Sequence, residues 1–232
     1  MKKKVVVLTG AGMSAESGIS TFRDSDGLWE KYDVWEVCSH DAWLRQPALV
    51  LDFYNQRRRE MGTKEPNEGH RLVARLEEKY DVTVVTQNVD DLHERAGSTD
   101  IIHLHGEIMK ARSSKNDNLI VDLSPDHLDI HLGDKAPDGS QLRPHIVFFQ
   151  EAVPMIEPAA EVVEKADVLI IIGTSMAVYP AAGLVNYARP NVPIYLIDPK
   201  PVRVPLNRPI HYIAKGASEG MKEVCRELGV TV

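Results

Sequence analysis

Cysteine is nearly absent: Cys38 and Cys225 are the two thiols in 232 residues. Two are too few for a disulfide framework or for a metal site built of thiolates alone, and they fit a reducing compartment, each reading as a small buried apolar side chain. Long hydrophobic runs are missing as well. The strongest, 168–172, has the length of one buried strand and falls far short of a membrane span. Excess basic charge is also lacking, since the formal net charge is -7. That balance argues against nonspecific nucleic-acid binding, so any basic partner site must be local. Met1-Lys2-Lys3-Lys4 followed by Val5 to Leu8 opens like a secretion signal, but the apolar run stops at Thr9-Gly10. It reads as the first buried strand, and the protein as cytoplasmic. There is no internal repeat and no low-complexity tract. What remains is an ordinary globular composition, 43% apolar and 26% charged. A chain of this length buries roughly 70% of its unfolded surface in one substantial domain.

Runs of β-branched residues bounded by Gly, Asp or Pro recur at 5–8, 82–85, 101–104, 168–172 and 194–197, as strands buried on both faces do. Between them the apolar spacing predicts helices over 47–61, 68–79, 89–96, 158–166, 180–188 and 218–228. Strand and helix alternate, so the fold class is α/β, a doubly wound, Rossmann-like parallel sheet. Residues 112–143 break this rhythm with turn chemistry such as Ser113-Ser114-Lys115-Asn116-Asp117-Asn118 and Gly133-Asp134-Lys135-Ala136-Pro137-Asp138-Gly139. They read as a small inserted subdomain or long flap.

The first strand runs into Thr9-Gly10-Ala11-Gly12-Met13-Ser14-Ala15-Glu16-Ser17-Gly18. Glycines that permit a sharp turn, with hydroxyls ahead of an expected helix N-terminus, suit a phosphate cradle. The spacing is neither the G-x-G-x-x-G dinucleotide fingerprint nor a Walker loop. On loop chemistry alone, a tight strand-to-helix connection needing glycine only for packing stays open. Four further segments follow in order: Gly18-Ile19-Ser20-Thr21-Phe22-Arg23 with Gly27-Leu28-Trp29, then Thr86-Gln87-Asn88-Val89-Asp90-Asp91-Leu92-His93 with Leu104-His105-Gly106, then Pro144-His145-Ile146-Val147-Phe148-Phe149-Gln150-Glu151, and last Gly173-Thr174-Ser175-Met176-Ala177-Val178-Tyr179-Pro180. Together with the glycine loop these resemble the sirtuin family over nearly the whole chain, the irregular insert excepted.

The resemblance implies one catalytic domain over 1–232, with a helical and loop part of a small lobe at 20–65 and the insert at 111–143. It implies NAD as cofactor and acylated lysine proteins or peptides as partners, the acyl group passing to ADP-ribose while nicotinamide leaves. His105 is implied as general base, and Asn88 and Asp90 as catalytic partners at the ribose and the nicotinamide amide. Gly10, Ala11, Gly12, Ser14, Glu16, Phe22, Arg23, Gln87, Gly173, Thr174, Ser175 and Asp198 are implied to bind the cofactor, Asp198 at a position where many sirtuins resemble one another in having Asn. Placement of His105 and Asn88 after strands suits ligand binding at the carboxyl ends of a parallel sheet. Read without the family, His105 is also a structural hydrogen-bonding histidine, Asn88 a helix cap, Arg23 a surface ion-pair partner and Phe22 a core aromatic.

Tyr54 and Arg57, three apart on the 47–61 helix, share a face where a phenol and a guanidinium can grip a carboxylate. Arg57 lies in a run of three arginines, for which a solvated basic face is the competing reading. The stretch Phe53 to Arg59, with Glu65-Pro66-Asn67-Glu68-Gly69-His70 and Thr21, resembles the branch that removes succinyl, malonyl or glutaryl groups. That branch usually has alanine where Cys38 falls. Val147 and Phe148 are implied to enclose the lysine stem.

Two departures stand out. Sirtuins usually carry four zinc-binding cysteines in the small domain, and residues 111–143 contain none, so no zinc is expected and the insert must hold itself by Leu119, Ile120, Val121, Leu123, Leu128, Ile130 and Leu132 or stay mobile. His127 and His131, with Asp126 and Asp129, have spacing common on polar helices and do not make a metal site. Gln150 replaces the family's glycine, where a positive φ or close backbone approach would redirect peptide binding. Besides deacylation, the same pocket suits NAD hydrolysis or ADP-ribosyl transfer, or an NAD-binding module that has lost its peptide groove. A dehydrogenase fits poorly, because the loop spacing is wrong.

Overall fold

The computed structural model describes residues 2–21, 33–124, 126–204 and 208–232. Its centre is a six-stranded sheet, because the β-branched runs pair in parallel. In chain order these strands are β1 (Lys4–Thr9), β2 (Asp81–Thr86), β3 (Ile101–His103), β7 (Val168–Ile172), β8 (Ile194–Ile197) and β9 (His211–Ile213). Their spatial order is β3-β2-β1-β7-β8-β9. Successive side chains of a strand point to opposite faces, and β1 shows the consequence. Val5 and Val7 join a core with Leu72, Val73, Met221 and Val224, whereas Val6 and Leu8 join one with Ala159, Val163, Leu184 and Val185. The sheet is thus covered on both faces, as the doubly wound reading requires.

The helices are α1 (Val34–Val37), α2 (His40–Arg45), α3 (Pro47–Gly62), α4 (Glu68–Arg75), α5 (Leu92–Ala96), α6 (Ile156–Glu164) and α7 (Ala217–Leu228). Several differ from the sequence reading. The 68–79 helix stops at Arg75 and tightens into a 3₁₀ turn, Leu76–Glu78, and the expected 180–188 helix is a 3₁₀ segment, Ala181–Tyr187. The 89–96 helix begins only at Leu92, because Asp90 turns its carboxylate onto the Leu92 N–H. β9 was not expected. It is short and mostly exposed, so its two-residue alternation carries little signal.

The insert contains a second, antiparallel sheet in the order β5-β4-β6: β4 (Gly106–Ser113), β5 (Ile120–Asp122) and β6 (Leu142–Ile146). It begins at Gly106, earlier than the expected 112. Of the apolar residues expected to hold it, Ile130 is buried, while Ile120 and Leu132 are 45% and 55% exposed. Polar pins do much of the holding instead. Arg58, fully buried, donates to the carbonyls of Ile108 (2.6 Å) and Leu128 (2.8 Å), and Asn55 exchanges two 2.9 Å bonds with the Ile130 main chain. Arg59 pairs with Asp129. Arg57 and Arg58 therefore turn inward while Arg59 stays exposed, and residues 126–131 are not helical. Among the described residues, no helix is long and apolar enough to cross a membrane.

Candidate functional site

β1 has β2 on one side and β7 on the other, so chain order reverses between β1 and β7, and a crevice opens at their carboxyl ends. The two loops leaving these strands interlock there. The Gly10 N–H donates to the Ile172 carbonyl (3.0 Å), and the Gly12 N–H to that of Gly173 (2.8 Å). A Cβ on Gly12 would lie 2.6 Å from the Gly173 Cα, and Gly173 has φ +61, so neither position admits a side chain. The loop does not open a helix as expected. Ala11–Met13 and Ala15–Ser17 form two 3₁₀ turns closed by left-handed Gly18. Glu16 is exposed and accepts from the Ser218 N–H at 3.1 Å, at the start of α7.

Three predicted residues form one chain of hydrogen bonds. Asn88 Nδ2 donates to Ser14 Oγ (3.0 Å), which donates to Asp90 Oδ2 (2.9 Å). Asp90 is buried, and desolvation raises its pKa against the pull of the Ser14 hydroxyl and the Leu92 N–H. Below them lies a network that sequence reading missed. Thr9 and Thr86, neighbours in strand register, join their hydroxyls at 2.8 Å, and the Asn88 N–H donates to Thr86 at 3.0 Å. His93 Nε2 lies 3.3 Å from the Thr9 hydroxyl, and the His93 ring stacks edge-on against His70. Asn67, which in the sequence lies in a stretch resembling one branch, ties the glycine loop down with its amide through the Met13 carbonyl (2.8 Å) and Ser17 (3.1 Å).

His105 and Gln87 make a second group. His105 Nδ1 lies 3.0 Å from the Gln87 carbonyl, while Gln87 Nε2 donates to Thr174 Oγ1 at 3.1 Å. A carbonyl only accepts, so Nδ1 carries the hydrogen and Nε2 keeps the lone pair. Burial lowers the His105 pKa, and the carbonyl partly offsets it. Gly106 (φ +87) lets the chain turn there; a Cβ would fall 2.0 Å from the His145 oxygen. The Val147 N–H donates to the His105 carbonyl at 2.9 Å, so the 147–149 segment begins beside the imidazole.

That segment leads to a third group. Phe148 packs on Tyr54 (ring centroids 5.6 Å apart) and beneath the Arg143 guanidinium (4.0 Å). Tyr54 hydrogen-bonds Cys38, whose pKa burial pushes up to about 11, so it stays a neutral thiol. Arg57 is buried beside Cys38 and pairs with Glu60 at 2.8 Å. Gln150 does take a positive φ, 76°, and its amide both donates to Asp41 Oδ2 (2.8 Å) and accepts from the Asp41 N–H (3.1 Å). The Phe149 N–H and carbonyl are engaged by Cys38 and His40.

Asp198 ends β8, buried, with Oδ1 accepting from the Lys200 N–H at 2.9 Å. Ser175 follows Thr174, half-buried. Phe22 and Arg23 lie outside the described residues.

A glycine-lined crevice at a topological switch point, with Asn88 and His105 at the ends of the neighbouring strands β2 and β3, defines an α/β protein of the dinucleotide-binding class. The chain belongs to the Sir2 family, whose model matches residues 10–180. It is 57% identical over 225 residues to an NAD-dependent protein deacylase of Bacteroides thetaiotaomicron, covering 96% of each chain. It is 51% identical over 226 residues to another so named from Helicobacter pylori, covering 97% of each. Among solved structures it resembles a Sir2 homologue in complex with NAD, with TM-score 0.86, 38% identity, and coverage of 98% of this chain and 90% of that one.

Proposed function

We propose that this protein is an NAD-dependent protein-lysine deacylase. The observation that carries the reading is the joining of Ser14, Asn88 and Asp90 into one hydrogen-bonded group at the switch-point crevice, with His105 held by the adjoining Gln87 carbonyl. When bound, NAD supplies the ribose carbon that loses nicotinamide and takes the acyl oxygen. The glycines at 10, 12 and 173 lock the two loops together through the N–H groups of Gly10 and Gly12 and so set the loops' main chain at the crevice where the phosphates would lie, and Thr174 and Asp198 offer oxygens to the adenosine side. Arg23 and Phe22 are assigned to the same cofactor by resemblance. Asn88 and Asp90 orient the nicotinamide half through an amide and a carboxylate. His105 Nε2 accepts a proton from a ribose hydroxyl while Nδ1–H, fixed on Gln87, holds the ring in place. Val147 and Phe148 enclose the apolar stem of the lysine.

We further propose that the pocket under Phe148 prefers acyl groups ending in a carboxylate. Tyr54 stays a neutral phenol, since burial and Cys38 raise its pKa, and Arg57 brings a permanent charge. A charge-assisted contact of this kind contributes about 1.5–3 kcal/mol, or roughly 10- to 100-fold over acetyl. The small subdomain is proposed to fold without the family's zinc. At its tip Ser113 Oγ donates to Asp138 (2.6 Å), contacts Ser140 (2.7 Å) and accepts from the Lys115 and Asn116 N–H groups, a donor set unlike the thiolates and imidazoles zinc selects. Incubation with NAD and matched acetyl-, succinyl-, malonyl- and glutaryl-lysine peptides tests the preference. Acidic-acyl removal should dominate and fall at least about tenfold in Arg57→Met, whereas equal rates on all four peptides would sink it.

A further inference from the structure

β3 ends on His103, a residue the deacylase reading does not use. Its Nδ1 lies 3.4 Å from the Asn88 carbonyl and its Nε2 2.6 Å from Glu94 Oε1. The carbonyl assigns hydrogen to Nδ1 in the neutral ring, so the Nε2 lone pair faces a carboxylate. Two acceptors that close are bridged by a proton, which Glu94 favours by raising the His103 pKa against desolvation, or by a metal cation that displaces that proton. Glu107, second residue of β4, completes the group: one ligand atom each from Glu94, His103 and Glu107 lies within 4.8 Å of the others. Lys110 Nζ engages Glu107 Oε1 at 2.8 Å, while Glu107 Oε2 sits 4.0 Å from His145 Nε2. The other ring nitrogen of His145, Nδ1, is buried without a hydrogen-bond partner.

We propose that Glu94, His103 and Glu107, with His145 beside them, bind one divalent transition-metal ion of the zinc class on the outer side of the β3–β4 turn. Imidazole with carboxylates suits zinc, whereas magnesium and calcium take oxygen ligands throughout. A ring fixed through Nδ1–H on a main-chain carbonyl is the arrangement by which metal-bound histidines hold their tautomer. Zinc bonds of about 2.0–2.2 Å require the two glutamates to adjust by roughly an ångström, and the exposed Glu94 side chain on α5 has room to do so. The site stands at the start of β4, whereas the Ser113–Asp138–Ser140 cluster stands at its end, and the two share no side chain. It also touches the main chain of Asn88 and stands two residues from His105.

The inference does not depend on the enzyme activity, and metal uptake reads it directly. Untagged, chelator-stripped protein is titrated with zinc chloride by calorimetry, and bound zinc is counted by elemental analysis after dialysis. Wild type should take up one equivalent. His103→Gln and Glu107→Gln, each checked for folding by circular dichroism without zinc, should weaken uptake by about tenfold or more. His211→Gln is the control, because His211, Glu223 and Glu227 form the other such group among the described residues, and it should bind as wild type does. Should His103→Gln not fold, Glu107→Gln decides. No uptake by wild type, uptake unchanged in folded His103→Gln and Glu107→Gln, or uptake abolished by His211→Gln would overturn the proposal.

Discussion

At the scale of residues, His105 shows how two neighbours set a reactivity. Gln87 fixes the hydrogen on Nδ1, and burial favours the neutral ring, holding the pKa below the ordinary 6.5. A base must be neutral to accept a proton, so activity is present above the folded pKa and lost as pH falls through it. The acid limb of kcat/KM should therefore have its midpoint below 6.5; a midpoint above 6.5 would contradict this. His105→Ala should lower kcat by about 100- to 10,000-fold with NAD affinity changed little, as calorimetry can check. Arg57 offers a second case. Glu60 already occupies its guanidinium, and an incoming acyl carboxylate competes with that pair. Glu60→Gln should raise the succinyl-to-acetyl ratio of kcat/KM several-fold, and a fall would show that Glu60 instead holds Arg57 in place. The motif residues were legible because Ser14, Asn88, Asp90 and His105 stand in characteristic company. Arg58 was not, since nothing in Arg57-Arg58-Arg59 says which arginine turns inward, and the Thr9–Thr86 pair appears only once β1 and β2 are in register.

At the scale of elements, the insert and the histidine pair carry the predictions. Ser113 satisfies Asp138 and two main-chain N–H groups from one buried hydroxyl, so Ser113→Ala leaves several partners unmatched. It should cost about 1–3 kcal/mol in urea unfolding, against near neutrality if the tip is held otherwise. The sequence showed this region only as turn residues, because the pairs that matter, 113 with 138 and 140, are more than twenty residues apart. His70 and His93 are buried between α4, α5 and the sheet, and desolvation lowers both, His70 to about 4. At His70 the unfolded chain binds a proton below pH 6.5 that the folded chain refuses until about pH 4. Stability should therefore decline as pH falls through that window, by up to about 3 kcal/mol for His70. In His70→Asn, whose side-chain oxygen can still accept from the Asn67 N–H, the decline should be shallower; an unchanged slope would assign it to other groups. The helix and strand periods were read well where one face is buried. They failed at Ala181–Tyr187 and β9, where short length left the period undefined.

At the scale of the whole molecule, the parallel sheet supplies the switch point, and the smaller lobe supplies what faces it. Val147 hydrogen-bonds the His105 main chain, and Phe148 packs on Tyr54 of α3, so the imidazole and the apolar pocket are joined through one short segment. On the proposed deacylase reading, acyl transfer, nicotinamide release and lysine release each occur once per turnover. The most direct measurement follows products by mass spectrometry after mixing the protein with NAD and a succinyl-lysine peptide. One acyl-ADP-ribose should form per nicotinamide and per free lysine, only when peptide is present, and about 100- to 10,000-fold more slowly in His105→Ala. Nicotinamide and plain ADP-ribose formed at the same rate without peptide would contradict the deacylase account and assign the site to NAD hydrolysis.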